Sequence, residues 1–318
     1  MDNKCIHIKK YDASLAKQWN EFCREVKTPL FMFDRNYMDY HSNRFVDHSL
    51  LFYECDKLIA ILPANEAEDK LISHGGLTYG GLLFDRSVKQ HTINDVIREL
   101  ISYMNNKGFR ELIYKAIPHI YHEQPAEEAV YSLFQAGAVL SAVSASTVVK
   151  LSDPIQMPKG RKAQISRARR EGVSVSCLAE KQDYERFIEL ENEVLTERHG
   201  IKAVHTAEEL FMLHERFSDK IHLFGAIYED KMIAGTVIYE YGQVIHTQYM
   251  ASNSQGRQIG ALDLAIATIK EKYRDSKLWL DFGISTEEDG KVLNEGLIAQ
   301  KEGFGGRTNV YELWTLKL

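Results

Sequence analysis

The sequence predicts an α/β protein with mixed sheets, built as two tandem modules that are related by internal duplication. Strand-like and helix-like stretches alternate along the whole chain. The segment Asp56–Ala60 (DKLIA) recurs as Asp230–Ala234 (DKMIA), and the helices and strands around it recur in the same order. A chain of 318 residues also has the length of about two domains.

In the first half, each element is predicted from its periodicity. Apolar residues at Leu15, Trp19, Phe22 and Val26 have helical spacing, whereas the stretch after Ser49 is a run of strand-forming residues. The predicted elements are strand 4–9, helix 12–26, a short helix within 31–40, a hairpin of 49–54 and 58–63, a glycine-rich turn at 73–83, helix 93–106, strand 112–116, helix 126–135 and strand 146–151.

The second half repeats this plan after a linker. Two prolines and a glycine within Pro154–Gly160 mark the linker, so the predicted modules are residues 1–152 and 153–318. Thr206 followed by Glu209 predicts a capped helix start. The predicted elements are a hairpin of 223–229 and 232–239, strand 246–253, a glycine-bearing turn, helix 261–273, strand 278–282, a short helix and a final strand.

Composition excludes several classes of protein. The formal net charge is −6, with 17 basic and 19 acidic residues up to Ser152 and 22 and 26 after it, so we expect no stable nucleic-acid partner. The four cysteines are far apart, which indicates reduced thiols and not a disulfide frame or a zinc site. The apolar runs are strand-sized and no secretory signal pattern is present. We therefore expect a cytoplasmic protein without a membrane span.

Four stretches carry a family resemblance. The order of elements from His246 to Gly306 resembles the second half of the GNAT acyltransferase fold, and Lys301–Gly305 resembles the K-x-x-F-G close of the FemABX peptidoglycan-bridge aminoacyltransferases. The whole chain is similar to tandem-GNAT proteins of the FemAB-like group. The stretches that carry this similarity are 62–65 with 73–81, 161–172, 280–283 and 301–305.

This resemblance implies acyl or aminoacyl transfer, and we expect an acceptor that is an amino sugar or a cell-wall or surface-polysaccharide precursor. The acceptor would be a small molecule or a nucleotide- or lipid-linked compound, and its amine or hydroxyl would attack the donor directly. No cysteine or serine nucleophile with a nearby base is visible, which agrees with direct transfer. The alternative is a non-catalytic GNAT-like protein that binds a nucleotide-linked ligand. The sequence leaves the oligomeric state open.

The predicted donor site lies at the start of helix 261–273. A helix N-terminus that follows a strand through a glycine-bearing turn suits a pyrophosphate. GNAT enzymes carry a loop of the form R/Q-x-x-G-x-G/A there, although Leu262 stands at its small-residue position here. We expect acyl-CoA as the donor, with no tightly bound cofactor, because tRNA binding requires broad positive surface and both halves of the chain are net negative. Aminoacyl-tRNA is the alternative donor. The candidate donor-binding residues are Arg257, Gln258, Gly260 and Ala261.

Four residues are candidates for the chemistry. Lys301 could stabilise negative charge, unless it is a solvated lysine on a short helix. Asp281, at the end of an apolar strand, could act as a base, unless it only fixes the turn at Gly283. His246 lies on a strand with polar residues on both faces, as in a cleft or at a wet edge strand. Glu197 ends a predicted helix and is a weaker candidate.

The remaining candidates are predicted to contact substrate. A basic run from Lys159 to Arg170 is either a solvated helix face or a phosphate-binding helix, and a glycine-rich turn lies around Tyr79. His119 and His122 lie in a loop without a third paired ligand, so we predict no metal site. The candidate substrate-binding residues are Tyr79, His119, Tyr121, Arg161, Arg167, His199, Gln248 and Tyr249.

Overall fold

The computed structural model describes residues 6–318, with the side chains of Arg198 and His199 excepted. The chain divides into two compact units. Unit 1 contains the described residues up to Ala145 together with Thr286–Leu293 and Val310–Leu318, and unit 2 contains Ser146–Ser285 and Asn294–Asn309. The division therefore falls earlier than the predicted boundary after Ser152, because Val149 and Leu151 already pack in the core of unit 2.

The strands and helices alternate, as the sequence predicts for a mixed α/β fold. The strands are β1 (Ile6–Lys10), β2 (Val46–Asp47), β3 (Leu50–Glu54), β4 (Lys57–Leu62), β5 (Asn65–Ala67), β6 (Lys70–Ile72), β7 (Leu83–Phe84), β8 (Glu111–Lys115), β9 (Val139–Lys150), β10 (Ser174–Leu178), β11 (Ile221–Tyr228), β12 (Lys231–Glu240), β13 (Val244–Ser252), β14 (Trp279–Ile284), β15 (Thr286–Glu287), β16 (Val292–Leu293) and β17 (Arg307–Lys317). The helices are α1 (Ala16–Glu25), α2 (Arg35–Met38), α3 (Gln90–Lys107), α4 (Glu128–Gln135), α5 (Lys159–Arg170), α6 (Lys181–His199), α7 (Ala207–Arg216), α8 (Ser254–Ile259), α9 (Ala261–Tyr273) and α10 (Glu295–Glu302).

Unit 1 is organised around helix α3. Its strands include one group in the order β1-β3-β4-β7, and another in which β6 runs parallel to β8. Helix α3 buries Ile93, Val96, Ile97, Leu100 and Met104 in the core, at the spacing of one helical face. The helix ends at Gly108, whose φ of 84° gives the left-handed C-cap that glycine adopts without strain.

Unit 2 is organised around helix α9. Strands β10 to β14 lie in sequence order, antiparallel except for the parallel pair β13–β14, and residues 146–150 of β9 add to β14. Helix α9 packs with α5 over one face of this sheet, and its residues Leu264, Ile266 and Ile269 belong to the core. Helix α7 begins at Thr206 with the predicted capping box to Glu209.

The hairpins of the two units agree in detail. In β3–β4 the register shifts at one residue, so that Phe52 faces Ala60 and Tyr53 faces Leu58. In β11–β12, Ala226 faces Ala234 and Ile227 faces Met232, with the same shift at the matching position. A bulge inserts one extra residue at a chosen point of a strand. Its recurrence at the same place in the repeated DK-x-IA segment is what an internal duplication would leave.

Across residues 6–318, the helices lack the combination of length and apolar character that crossing a membrane requires. Within the same range, no cluster of three or more histidine, cysteine or acidic side chains has the arrangement of a metal site. Cys23 is buried, and Cys55 and Cys177 are exposed, and all three are free thiols.

A glycine in helix α8 allows a close backbone approach that can be tested. A Cβ atom at Gly256 would lie 2.2 Å from the carbonyl oxygen of Ile233. We expect Gly256→Ala to lower the free energy of unfolding by about 1–3 kcal/mol, the usual cost of overpacking. Chemical denaturation measures this loss.

Gly160 supplies the matched control, because it lies in helix α5 and a Cβ atom there would meet nothing within 4 Å. Gly160→Ala should be neutral or stabilise by roughly 0.5–1 kcal/mol, since alanine favours the helix. Equal effects of the two substitutions would show that strand β12 does not hold helix α8 at this distance.

Candidate functional site

The candidate site lies where two parallel strands of unit 2 separate. Strands β13 and β14 pair at only three positions, the last being His246 with Asp281, and β13 then continues to Ser252. The carboxyl ends of parallel strands that diverge form a crevice, which is the usual ligand position in open α/β sheets. His246 and Asp281, both predicted as candidates, therefore lie together at the point of divergence.

Asp281 is fully buried and bonded on both oxygens. Its Oδ1 accepts hydrogen bonds from Ser146 Oγ at 2.6 Å and from the Gly283 N–H at 3.0 Å, and its Oδ2 lies 3.1 Å from Nδ1 of His246. The predicted alternative, an aspartate that fixes the Gly283 turn, is thus seen in the structure. The carboxylate also orients His246, because an Nδ1–H that donates to Asp281 leaves Nε2 as the basic nitrogen.

Lys301 is buried, with 3% of its surface exposed. It is therefore not the solvated lysine that the sequence left as an alternative. Its Nζ donates to the carbonyl oxygens of Gly283 at 2.9 Å and Ile284 at 2.6 Å. Burial lowers the pKa of Lys301 to about 8, and the charge of Asp281 acts in the opposite direction. The lysine therefore fixes the end of strand β14 next to the site.

A bulge in strand β13 changes which side chains share a face. Val237 faces Tyr249 and Ile238 faces Thr247, so Gln248 is the extra residue. Tyr249 consequently lies on the same face as His246, and not on the opposite face as strict alternation predicts. The Tyr249 hydroxyl is hydrogen-bonded to Nδ1 of His205, a residue of the loop before helix α7.

A cavity of about 330 Å³ lies beside the second half of strand β13. Its walls come from α5, α6, α8, α9, α10 and β13, through Arg161, Gln164, Val194, Met250, Ser252, Gly256, Arg257, Leu262, Asp263, Leu297 and Gln300. Two polar atoms of this wall, Ser252 Oγ and Gln164 Oε1, are buried and have no hydrogen-bond partner within the described part of the chain. Unpaired buried polar atoms are costly, which points to a ligand that pairs with them.

The predicted donor-binding turn is a helix. Residues 254–259 form α8, and Gly260, with φ of 89°, separates it from α9. A Cβ atom at Gly260 would lie 2.8 Å from the carbonyl oxygen of Gln164, so helix α5 covers this corner. Arg257 lines the cavity and donates to the Ser252 carbonyl at 2.7 Å. Gln258 is exposed, and Ala261 is buried in the core.

Two ion pairs balance the charge around this cavity. Arg161 is bonded to Asp263 in the first turn of α9 and donates to the Gln300 carbonyl at 2.9 Å. Arg257 Nη2 lies 3.5 Å from the Glu197 carboxylate. Arg161, expected to meet a substrate phosphate, is thus already engaged within the protein, and it also stacks on Phe304. Glu197, the weaker candidate for the chemistry, thus contacts the predicted donor-binding residue Arg257.

The remaining predicted substrate contacts are spread over the chain. Tyr79 and Tyr121 are buried in unit 1 with their ring centroids 4.8 Å apart. His119 is exposed at the rim of a cavity of about 70 Å³ in the same unit. Arg167 is partly exposed on helix α5. The side chain of His199 lies outside the described residues.

Sequence reasoning missed Glu191. It is 6% exposed on helix α6, and in the described part of the chain its Oε2 has no hydrogen-bond partner. Burial raises its pKa to about 7. The signal was available, because Tyr184, Phe187, Ile188 and Glu191 have the spacing of one helical face, and a carboxylate on an apolar face is unusual. This face packs on the sheet, as the contact of Phe187 with Gly235 shows.

Comparison with known proteins identifies the architecture. Residues 159–289 match the acetyltransferase (GNAT) domain family. No curated protein sequence is similar enough to count as a match. Among solved structures, the chain resembles FemX at 9% identity, with a TM-score of 0.66 and 96% of both chains covered. It also resembles L-PGS from Bacillus licheniformis, at 14% identity and a TM-score of 0.63, with 95% of this chain and 91% of that chain covered.

A further similar structure is a tandem GNAT protein from the clavulanic acid biosynthesis pathway, at 10% identity and a TM-score of 0.53, with 98% of each chain covered. At such identities, these likenesses establish the fold. They confirm the predicted tandem arrangement of two GNAT-like modules, because each covers nearly the whole chain.

The buried carboxyl of Glu191 predicts a pH-dependent stability. Its ordinary pKa of 4.5 rises to about 7 in the folded protein. Below pH 4.5 both states hold the proton. Between 4.5 and 7 the unfolded chain loses it first, so stability falls with rising pH and stays lower above 7. Glu191→Gln should therefore stabilise the protein at pH 8 more than at pH 5, by on the order of 2–3 kcal/mol.

Urea denaturation at the two pH values measures this difference. Glu189→Gln is the matched control, because Glu189 is an exposed carboxylate on the same helix. An equal effect of Glu191→Gln at both pH values would mean that the carboxyl ionises normally in the folded protein.

Proposed function

We propose that this chain is an acyltransferase of the GNAT superfamily with a tandem architecture, and that it works by direct acyl transfer. An amine or hydroxyl of the acceptor attacks the carbonyl carbon of an activated acyl or aminoacyl donor. The observation that carries the proposal is the His246–Asp281 pair at the point where strands β13 and β14 diverge.

Each group at the opening has a definite task in this reaction. As the acceptor nitrogen or oxygen bonds to the carbonyl carbon, His246 Nε2 takes its proton, and Asp281 stabilises the imidazolium that forms. The bond to the leaving group then breaks, and the leaving group takes up the proton that His246 Nε2 accepted, which returns the histidine to its neutral form. Lys301 and Asp281 hold the end of β14, so the opening keeps its shape. Rigid positioning of this kind contributes directly to rate.

We assign the donor to the cavity of about 330 Å³. Its volume is in the range of sites for drug-sized ligands. Ile245, Leu280 and Phe282 face the core under α9, so their neighbours His246 and Asp281 point to the other face of the sheet. A donor arm that enters from the α9 side would present its carbonyl between the strands, with the base on the far side. Acyl-CoA, as expected from the sequence, is our first candidate.

One observation favours a second donor, an aminoacyl ester such as aminoacyl-tRNA. Asp263 occupies the first turn of α9 and is paired with Arg161. A carboxylate there already uses the positive end of the helix dipole, where GNAT enzymes would bind the pyrophosphate of CoA. A donor that places no pyrophosphate at the start of α9 avoids repulsion from the Asp263 carboxylate.

For the acceptor we propose an amino sugar or a cell-wall or surface-polysaccharide precursor. The resemblance of Lys301–Gly305 to the closing motif of the FemABX peptidoglycan-bridge aminoacyltransferases supports this class. An amino sugar offers a primary amine, which direct transfer needs as a nucleophile. The amine is charged at neutral pH, so a base such as His246 must remove a proton before or during the attack.

Substitution of the base tests the mechanism. His246→Asn should lower kcat by about two to four orders of magnitude, the usual contribution of a general base. Asp281→Asn should also lower kcat, because it removes the group that fixes the histidine tautomer. Steady-state kinetics with the transferred acyl group followed by mass spectrometry gives both values.

His91→Asn is the matched control, since His91 is exposed on helix α3. If folded His246→Asn protein keeps a kcat within twofold of that of the unchanged protein, the histidine does not take part in the mechanism. Thermal unfolding of each variant separates loss of activity from loss of fold, which matters most for the fully buried Asp281.

Calorimetry distinguishes the two donors. If acyl-CoA is the donor, acetyl-CoA or a longer acyl-CoA should bind saturably, and Arg257→Gln should weaken binding about tenfold by removing a phosphate contact. Arg274→Gln is the control, because Arg274 is about half exposed and lies outside this cavity.

Saturable binding of charged tRNA with no heat from any acyl-CoA would favour the aminoacyl donor instead. Gly260→Val is not a useful probe of the phosphate site. The added side chain would collide with the Gln164 carbonyl and perturb helix α5 directly.

A further inference from the structure

Unit 1 contains a cavity of about 140 Å³ that the proposed acyl transfer does not use. It is formed by the residue that follows β1, by α2 and the turns after it, by β2, and by the start of the glycine-rich loop. Its walls are Tyr11, Arg35, Met38, Asp39, His41, Ser42, Phe45, Asp47 and His74. We refer to it as the first-unit cavity.

Three aromatic rings form one side of the first-unit cavity. The ring centroid of His41 lies 5.2 Å from that of Phe45 and 5.3 Å from that of His74, and Phe45 and His74 are 5.4 Å apart. Gly76 permits this packing, because a Cβ atom there would lie 2.5 Å from Phe45 and 2.7 Å from His41 Nε2. Adjacent aromatic rings present the π faces that attract organic cations.

The charge of the first-unit cavity is negative. Arg35 is 2% exposed, and its Nη2 donates to Asp47 Oδ2 at 2.6 Å. A second carboxylate, Asp39, lies 3.7 Å from Arg35 Nε, so two anions surround one cation. The face of the guanidinium is covered by the Tyr11 ring, 3.4 Å from its centroid. Partial burial raises the pKa of Asp39, half of whose side chain is exposed; Arg35 lowers this pKa, and the carboxylates of Asp47 and Asp34 raise it further.

His74 is held in place with an unsatisfied nitrogen. It is 3% exposed, and no hydrogen-bond partner of its Nδ1 exists in the region that the structure describes. Its φ is 57°, a left-handed conformation that costs energy for a residue other than glycine. Lys115 Nζ fixes this loop by donating to the carbonyl oxygens of His74 at 3.3 Å, Gly75 at 3.2 Å and Leu77 at 2.8 Å.

Burial lowers the pKa of His74 to about 3, so its ring is neutral at physiological pH. A neutral imidazole does not repel a cation, and its unprotonated nitrogen accepts a hydrogen bond from an N–H group. Strain, burial and an unpaired nitrogen at a cavity wall are the combination that functional sites show.

We propose that the first-unit cavity binds the ammonium group of a small organic cation. The ammonium lies between Asp39 and the rings of Phe45 and His74, and an N–H group donates to His74 Nδ1. The size sets the ligand class, because a cavity of 140 Å³ is close to one of about 150 Å³ that accommodates benzene. The ligand, or the part of it that enters, has about six non-hydrogen atoms.

An anion fits the first-unit cavity less well. The Arg35 guanidinium already donates to Asp47 and packs on Tyr11, and both carboxylates would repel a second anion. The site is in unit 1 and does not depend on the proposed acyl transfer, so its test is independent of that reaction.

Calorimetric titration of the full chain at constant ionic strength tests the proposal. The probes are ethylammonium and tetramethylammonium chloride, with tert-butanol as a neutral compound of similar size and acetate as an anion. We expect the better of the two cations to bind saturably at one site. Tert-butanol and acetate should bind at least about tenfold more weakly, because both lack the attraction to Asp39 and to the rings.

Two variants locate the binding site. Asp39→Asn removes the charge, and His74→Asn removes the ring while keeping a residue that tolerates a positive φ. Each should weaken cation binding about tenfold or more. Asp56→Asn is the matched control, because Asp56 is an exposed aspartate of unit 1 outside the cavity. If either variant unfolds, Phe45→Leu replaces it.

Three results would overturn the proposal. The first is the absence of saturable binding by both cations, and the second is acetate binding as tightly as the better cation. The third is cation binding that folded Asp39→Asn protein retains unchanged, since the cation would then occupy another place.

Discussion

The fully buried carboxylate of Asp281 is the group on which the candidate site depends. An ionised carboxylate inside a protein is strongly unfavourable unless donors surround it. Here Ser146, Gly283 and His246 supply those donors from strand β9, from the end of β14 itself and from β13. The same bonds that make the charge tolerable therefore fix three segments relative to one another within unit 2. Lys301 adds a buried cation that is bonded to the two carbonyls just beyond. The geometry of the opening thus follows from the requirement to solvate one charge.

Regular elements could be predicted from the sequence because their signals extend over many residues. Helix α9, the hairpins of both units and the capping box at Thr206 are close to their predicted positions. Short irregularities could not be predicted. Helix α8 has six residues, too few for a periodic pattern, and its Gly256 favours a turn in any sequence-based interpretation. The bulge at Gln248 leaves no mark in the sequence, yet it moves Tyr249 to the face of His246. One inserted residue is enough to reverse a strand's alternation.

In the candidate site, too, some features could be predicted from the sequence and others could not. Asp281 and Lys301 were predicted from motifs at strand and chain ends, and His246 from a strand with two polar faces. Their mutual contacts could not be predicted, because they depend on the register of β13 with β14 and on the position of α10 against the end of β14. Burial was the property most often misjudged. A lysine in a short polar helix gives no sign of being enclosed, and Arg161 is drawn inward by Asp263, a partner 102 positions away. Glu191 was overlooked because one carboxylate on an apolar helix face is taken for an interruption of the pattern.

The two ion pairs around the 330 Å³ cavity determine how a charged donor could enter. Asp263 has 14% of its side chain exposed and is bonded to Arg161, so separating this pair would leave a buried charge unpaired. Glu197 has 58% of its side chain exposed, and its contact with Arg257 is a loose one at 3.5 Å. Exposed pairs of this kind contribute little to stability, and water replaces the lost contact easily. A phosphate can therefore displace Glu197 and pair with Arg257 at low cost, whereas it cannot displace Asp263. The charged end of any phosphate-bearing donor should accordingly lie at Arg257, and not at the N-terminus of α9.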